Sequence, residues 1–220
     1  MGKSITKRGL IGAAVGIVLV TIGWILAPTT SLLSKTAAYA ILVIYGVIGY
    51  FVPPALERIN PQILKYIALF GLPAGIVFTG EILLEYILLP ASNISMGLVE
   101  FGTVFFVYFF AGLVAAYRAN STRQALLTAA GSAMLSALIW LVFTLITFYV
   151  FRGTAQQEQV FRAECNYDDF ARSSMRDFNA FIMEDFMGAT FFHLTLGPFL
   201  ATMLGWLGSI IGKILARLRN

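Results

Sequence analysis

Six apolar runs divide this chain, each bounded by charges, prolines or polar clusters, at roughly 9–27, 37–54, 66–89, 96–117, 124–150 and 189–212. No other feature limits the fold so tightly. A run of ~20 apolar residues is the length an α-helix needs to cross the hydrocarbon core of a bilayer. Lipid offers the backbone no hydrogen-bond partners, so single spanning segments of this kind must be helical. Only 12% of the residues are charged, about half the share usual in a soluble domain. The expected fold is an all-α integral membrane protein with six transmembrane helices in a single domain covering 1–220.

The first run, at ~19 residues, exceeds the apolar core of a cleaved signal peptide, and no A-x-A site follows it. It is expected to stay as a signal anchor. The lysines and arginines then set the orientation. With the N-terminus in the cytoplasm, Lys3, Lys7, Arg8, Arg58, Lys65, Arg118, Arg123, Lys213, Arg217 and Arg219 face inward, ten in all. Lys35, Arg152, Arg162, Arg172 and Arg176 face outward, and four of those five lie in one long loop. The short loops therefore obey the positive-inside rule. Both termini are expected to be cytoplasmic, with a bacterial cytoplasmic membrane as the default setting.

That long loop, residues 152–188, holds four arginines and seven acids and so carries a net charge of −3. Asn166 has the chemistry of an N-cap, and Asp168 and Asp169 follow where a helix dipole favours acids. Phe170, Phe178, Ile182 and Phe186, with Phe181 beside them, recur at helical spacing. The pattern predicts an amphipathic helix on the outer surface, running into the sixth span. It would act as a cap on the bundle mouth, as a substrate lid or as a partner-docking face.

Apolar burial does little to join helices in lipid, so small residues that permit close approach matter more. Gly12 and Gly16, Gly71 and Gly75, and Gly197, Ala201, Gly205, Gly208 and Gly212 form such stripes, and Thr128, Ser132 and Ser136 form a hydroxyl ladder on the fifth span. Besides the bilayer itself, a protein partner or a second copy is expected to use Gly-rich faces. Pro73 and Pro198 are expected to kink their helices.

Two carboxylates, Glu81 and Glu85, stand one turn apart inside the third run. At 1.5 Å per residue, Glu81 lies ~5 Å to the outer side of its span's centre, Glu85 ~11 Å, and Glu100 and His193 ~10 Å in theirs. Gly71, Ala74, Phe78, Glu81, Glu85 and Leu88 are expected to share one face of the third helix. Gly97, Glu100, Thr103, Ala111 and Arg118 are expected to share one face of the fourth. A carboxylate in the bilayer costs ~2.5–3.5 kcal/mol on insertion scales, so these groups need a reason. They are either paired and protonated structural groups, or a proton or cation path through Glu81, Glu85, Glu100 and His193, or ligands of a metal.

Other chemistry is poorly provided for. The single histidine, His193, rules out His-pair metal motifs, and the single cysteine, Cys165, rules out an intrachain disulfide. Ser132 and His193 belong to opposite leaflets, which argues against a serine rhomboid. Asp168 and Asp169 lack the second aspartate pair of prenyl and phosphatidyl transferases. No basic face fits nucleic acid, and no cofactor motif appears. MGKSIT fits an acylation pattern that six spans make redundant, and sequons begin at Asn93 and Asn120. The leading expectation is a non-enzymatic membrane scaffold or accessory subunit, and the alternative is a small proton- or cation-coupled transporter or channel.

Overall fold

The computed structural model of the chain describes residues 2–88 and 94–219. Most of the connection between the third and fourth spans, with the Asn93 sequon, lies outside the described residues. Eight helices follow one another: α1 (Gly2–Leu26), α2 (Leu32–Ile59), α3 (Pro61–Leu83), α4 (Ile94–Ala119), α5 (Thr122–Val150), α6 (Ala155–Ala163), α7 (Asn166–Arg172) and α8 (Phe178–Arg219). Among the described residues there is no strand. Six of the helices, α1 to α5 and α8, are long and apolar enough to cross a membrane.

Local chemistry sets several helix ends. Ser31 opens α2, its Oγ accepting the Ser34 N–H. Asn60 closes α2 and opens α3, where its Oδ1 accepts the Gln62 N–H ahead of Pro61. Helix α2 continues through Pro53 and Pro54, five residues beyond the expected end of the span. Its length reflects the next available cap, not the thickness of the apolar slab. Likewise α3 and α8 run through Pro73 and Pro198 as unbroken helices.

Helix α5 is the centre of the bundle, packing against α1, α3, α4 and α8. In its most apolar window 56% of residues are buried, against 33% or less in the other five. Its sequence explains the position. Ala125, Ala129, Ala133 and Ala137 let neighbouring backbones come close, and the hydroxyl ladder supplies cross-helix bonds. Ser132 Oγ donates to the Ile67 carbonyl of α3 at 3.4 Å, and Ser136 Oγ meets the Tyr108 hydroxyl of α4 at 2.6 Å. Thr128, the first rung, is buried without a partner.

The glycine stripes are used inside the chain. Gly71 touches the Ser132 carbonyl and Leu135 of α5, and Gly75 touches Ile139. Gly12 and Gly16 meet Leu138, Leu42 and Leu141. The tightest seam joins α8 to α4. A Cβ on Gly112 would overlap the backbone of Gly205, and one on Gly208 or Gly212 would overlap the Phe109 or Leu113 carbonyl. Only glycine permits backbones this close.

At the end where α5 stops, α6 and α7 fold over the bundle, and α8 rises to meet them. Helix α8 has 42 residues, a length of about 63 Å, so residues 178–188 extend the sixth span upward. The expected surface helix is therefore two pieces, a short α7 and the top of α8. Asn166 is the first residue of α7, not its cap: Cys165 holds the cap position in the left-handed region, at φ 57°.

Candidate functional site

The two carboxylates of the third span meet different neighbours. Leu84–Leu88 continues α3 as a π-helical turn that begins three residues after Glu81 and contains Glu85. Such turns recur at functional sites. Nothing in LEYIL marks it, because no proline or glycine is present.

Glu81 leans toward α4. Its Oε1 is 3.6 Å from where a Cβ on Gly97 would stand, one turn from Glu100. Glu100 is 8% exposed, and the side chain within hydrogen-bond reach of it is another acid, Glu81, so a bond between them needs one of the pair to be protonated. Its acidic neighbours are Glu81 and Glu85, with Glu81 the nearer influence. The buried face of α4 runs Glu100, Val104, Tyr108, Ala111 and Ala115. Thr103 is exposed and turns its hydroxyl back to the Val99 carbonyl, and Arg118 is exposed. The expected α4 face was wrong here because three-residue steps fall about 60° behind per step on a 3.6-residue helix.

Glu85 points elsewhere. With Tyr86 it lines a cavity of about 280 Å³ between the π turn, α5, α8 and the cap helices. Glu164, Asp169 and Asp185 line it too, and Glu164 and Glu81 are the acids that act on Glu85. The carboxylates thus form a chain of neighbours: Glu164, Glu85, Glu81, Glu100. Thr144 of α5 also lines the cavity; it is 4% exposed and its Oγ1 has no partner. Sequence reasoning missed Thr144, Tyr86, Glu164 and Asp185 as site residues. The net negative charge of residues 152–188 was the one signal that bore on them.

His193 sits among rings. Its imidazole lies 4.2 Å from the Trp140 centroid and near parallel to Phe101, at 9° and 6.3 Å, with Phe78 at 6.0 Å. It therefore shares a neighbourhood with the residues flanking Glu100 and Glu81, but its recorded contacts are aromatic. Among the described residues no three of His, Cys, Asp and Glu are close enough to hold a metal ion.

The aromatic residues of the loop are engaged within the chain. Ile182 is buried, Phe186 packs on Phe148 at 4.8 Å, and Phe178 stacks on Tyr167 at 4.5 Å. Phe170 meets Phe178 and Phe181 at 5.4 and 5.6 Å. This is the arrangement of a cap packed on the bundle mouth. Polar ties reinforce it. Gln157 Nε2 donates to the Phe148 carbonyl at 3.2 Å, and Tyr167 and Arg162 both donate to Glu158, holding that carboxyl below its usual range. Thr29 Oγ1 donates to Asp177 at 2.8 Å. That bond and the Asn179 and Ala180 N–H groups, which Asp177 also accepts, keep its carboxyl below the ordinary value.

No protein-family model, curated protein or solved structure matches the chain.

Proposed function

We propose that the protein binds a cation at its capped end and couples it to protons on Glu81, Glu85 and Glu100, as a small membrane transporter does. The observation that carries this reading is the run of acids from the cap cavity to Glu100. Buried Glu100 and neighbouring Glu81 can share a single proton, and ionisable groups at membrane depth commonly mark ion and proton pathways. The capped end is taken to face outward, because ten of the fifteen lysines and arginines belong to the opposite side. A bacterial cytoplasmic membrane suits that orientation.

Packing supports the direction of access. Beyond Glu100, Val104 and Tyr108 are buried, and α4 and α8 then meet backbone to backbone at Gly112 and Gly205. The arrangement is open at the cap and closed at the far end, as expected for one state of an alternating-access cycle. The scaffold reading has less support. It relied on Gly-rich faces and on Phe170, Phe178, Phe181, Ile182 and Phe186 being available to another chain, and apart from Gly197 these groups make contacts inside this one.

The test is flux in reconstituted vesicles loaded with a pH-sensitive dye. Wild type should move protons when an outward cation gradient is imposed, and Glu81→Gln and Glu100→Gln should each reduce the rate at least tenfold. A wild-type rate equal to that of empty vesicles, or variants as active as wild type, would remove the reading.

A further inference from the structure

The cavity under the cap is suited to a ligand that carries positive charge at more than one point. Glu85, Glu164, Asp169 and Asp185 line it, and no lysine or arginine does. Arg172 answers Asp169 from outside. The acids are not gathered to a focus, since no three metal-ligating side chains among the described residues converge. Their charge is spread along the wall. Glu85 is half-buried, whereas Asp169 and Asp185 are exposed, so one carboxylate lies deep and two lie toward the mouth.

Thr144 supplies the second, independent observation. Threonines on these helices ordinarily return their hydroxyl to the carbonyl four residues back, as Thr21, Thr103 and Thr190 do. Thr144 is almost fully buried, lines the cavity, and leaves its Oγ1 without a partner. A buried hydroxyl left unbonded is unfavourable, and a donor entering the cavity would satisfy it.

The remaining wall is aromatic. Tyr86, Phe161, Phe181 and Phe186 line it, and ring faces attract ammonium groups while their bodies accept methylenes. The volume is about 280 Å³, where a single water needs only ~10–15 Å³ on the same measure. That is large for a bare inorganic ion and suited to a short organic one.

We propose that this cavity binds a linear aliphatic di- or triamine from the cap side. One ammonium is held by Glu85 and donates to the Thr144 hydroxyl. Another is held near the mouth by Asp185 and Asp169, and the methylenes between them lie along Phe181 and Phe186. The inference rests on the cation-coupled reading above and names its cation.

Calorimetric titration of the full chain in detergent would test it, with 1,4-diaminobutane and spermidine as probes and butylamine and magnesium chloride as comparisons. Spermidine should bind at least tenfold tighter than butylamine, and magnesium should not displace it at equal concentration. Asp185→Asn should weaken binding at least fivefold and Thr144→Val at least threefold. Glu158→Gln, the same loss of charge on the cap outside the cavity, should leave it unchanged. Asp185 is exposed, so its variant keeps the test decisive if the Thr144→Val protein does not fold. Absent saturable binding, displacement by magnesium, or full affinity in Asp185→Asn each overturns the proposal. A protein that binds spermidine but shows no Glu81-dependent flux keeps the site and loses the coupled path. One with flux and no amine binding does the reverse.

Discussion

The two ends of the bundle are built from opposite materials. Away from the cap, α4 and α8 are joined by glycines whose neighbours are backbone atoms, and Ser136 and Tyr108 satisfy each other near the middle. At the cap, α3 ends in a π turn and acids line a cavity, while a buried hydroxyl without a partner occurs at each end, Thr128 at one and Thr144 at the other. Close approach gives the first end dispersion contacts that nothing in solution can modify. The second end spends stability on groups whose state depends on protons and ligands.

If that contrast is right, the largest effect comes from filling the seam. A side chain at Gly208 would strike the Phe109 carbonyl and stand 2.9 Å or less from the Leu113 N–H, and backbone cannot rotate aside. Overpacking ordinarily costs about 1–3 kcal/mol and sometimes more, so Gly208→Leu should fall at or beyond the top of that range in detergent unfolding. Gly188 has nothing within 4 Å of a built Cβ. Gly188→Ala, at the cap end of the same helix, should be neutral or gain up to about 1 kcal/mol from helix propensity. Equal losses at the two sites would erase the distinction.

The next effect has the opposite sign. Replacing Glu100 by leucine removes a buried carboxyl whose neighbour is another acid, Glu81, and insertion scales put such a group at roughly 2.5–3.5 kcal/mol when charged. Glu100→Leu should therefore raise stability by about 2 kcal/mol while abolishing flux. A destabilised variant would mean that the bond between Glu81 and Glu100 outweighs the cost of burying them. A smaller loss is expected at the bonded centre. Ser136→Ala removes the Tyr108 partner and should cost about 1 kcal/mol, within the range for hydroxyl bonds between membrane helices.

The same contrast explains what the sequence could disclose. A bilayer sets the length of each span and demands small residues where helices touch, so the six helices and the seams at Gly71, Gly75, Gly205, Gly208 and Gly212 are readable from periodicity alone. The site was only partly readable. Depth placed Glu85, Glu100 and His193 in one layer with Glu81 about one turn below, but direction depends on helix phase. The π turn at Leu84–Leu88 has no local signature, and the cavity it helps to wall takes Glu85, not Glu81, as a lining residue. Thr103 was assigned inward because its spacing from Glu100 matched a three-residue step. His193 faces Trp140 through the arrangement of four helices, which no single segment encodes. Glu164 comes to Glu85 because α6 packs on the π turn, and Asp185 because α8 runs on above the sixth span.

The smallest predicted effect concerns how the cap is held, and it separates the two ends by pH. Thr29 and two backbone N–H groups depress the Asp177 carboxyl, so this tie stabilises the folded cap fully above the ordinary aspartate value of about 3.9. It is lost as pH falls through the lower folded value. Glu184, which accepts the Ser31 N–H at 2.8 Å, ties the same turn. Amide exchange over residues 178–184 should therefore stay constant from neutral pH to about 4.5 and quicken below that, once corrected for intrinsic rates. Asp177→Ala should exchange faster at neutral pH and meet the wild-type curve below about pH 3, where the wild-type tie is also gone. Residues 205–212 bury no carboxylate, so their protection should follow neither the acid nor the substitution. Acid sensitivity of equal size in that seam would show that the bundle opens as one unit, and the division between a fixed end and a responsive end would fail.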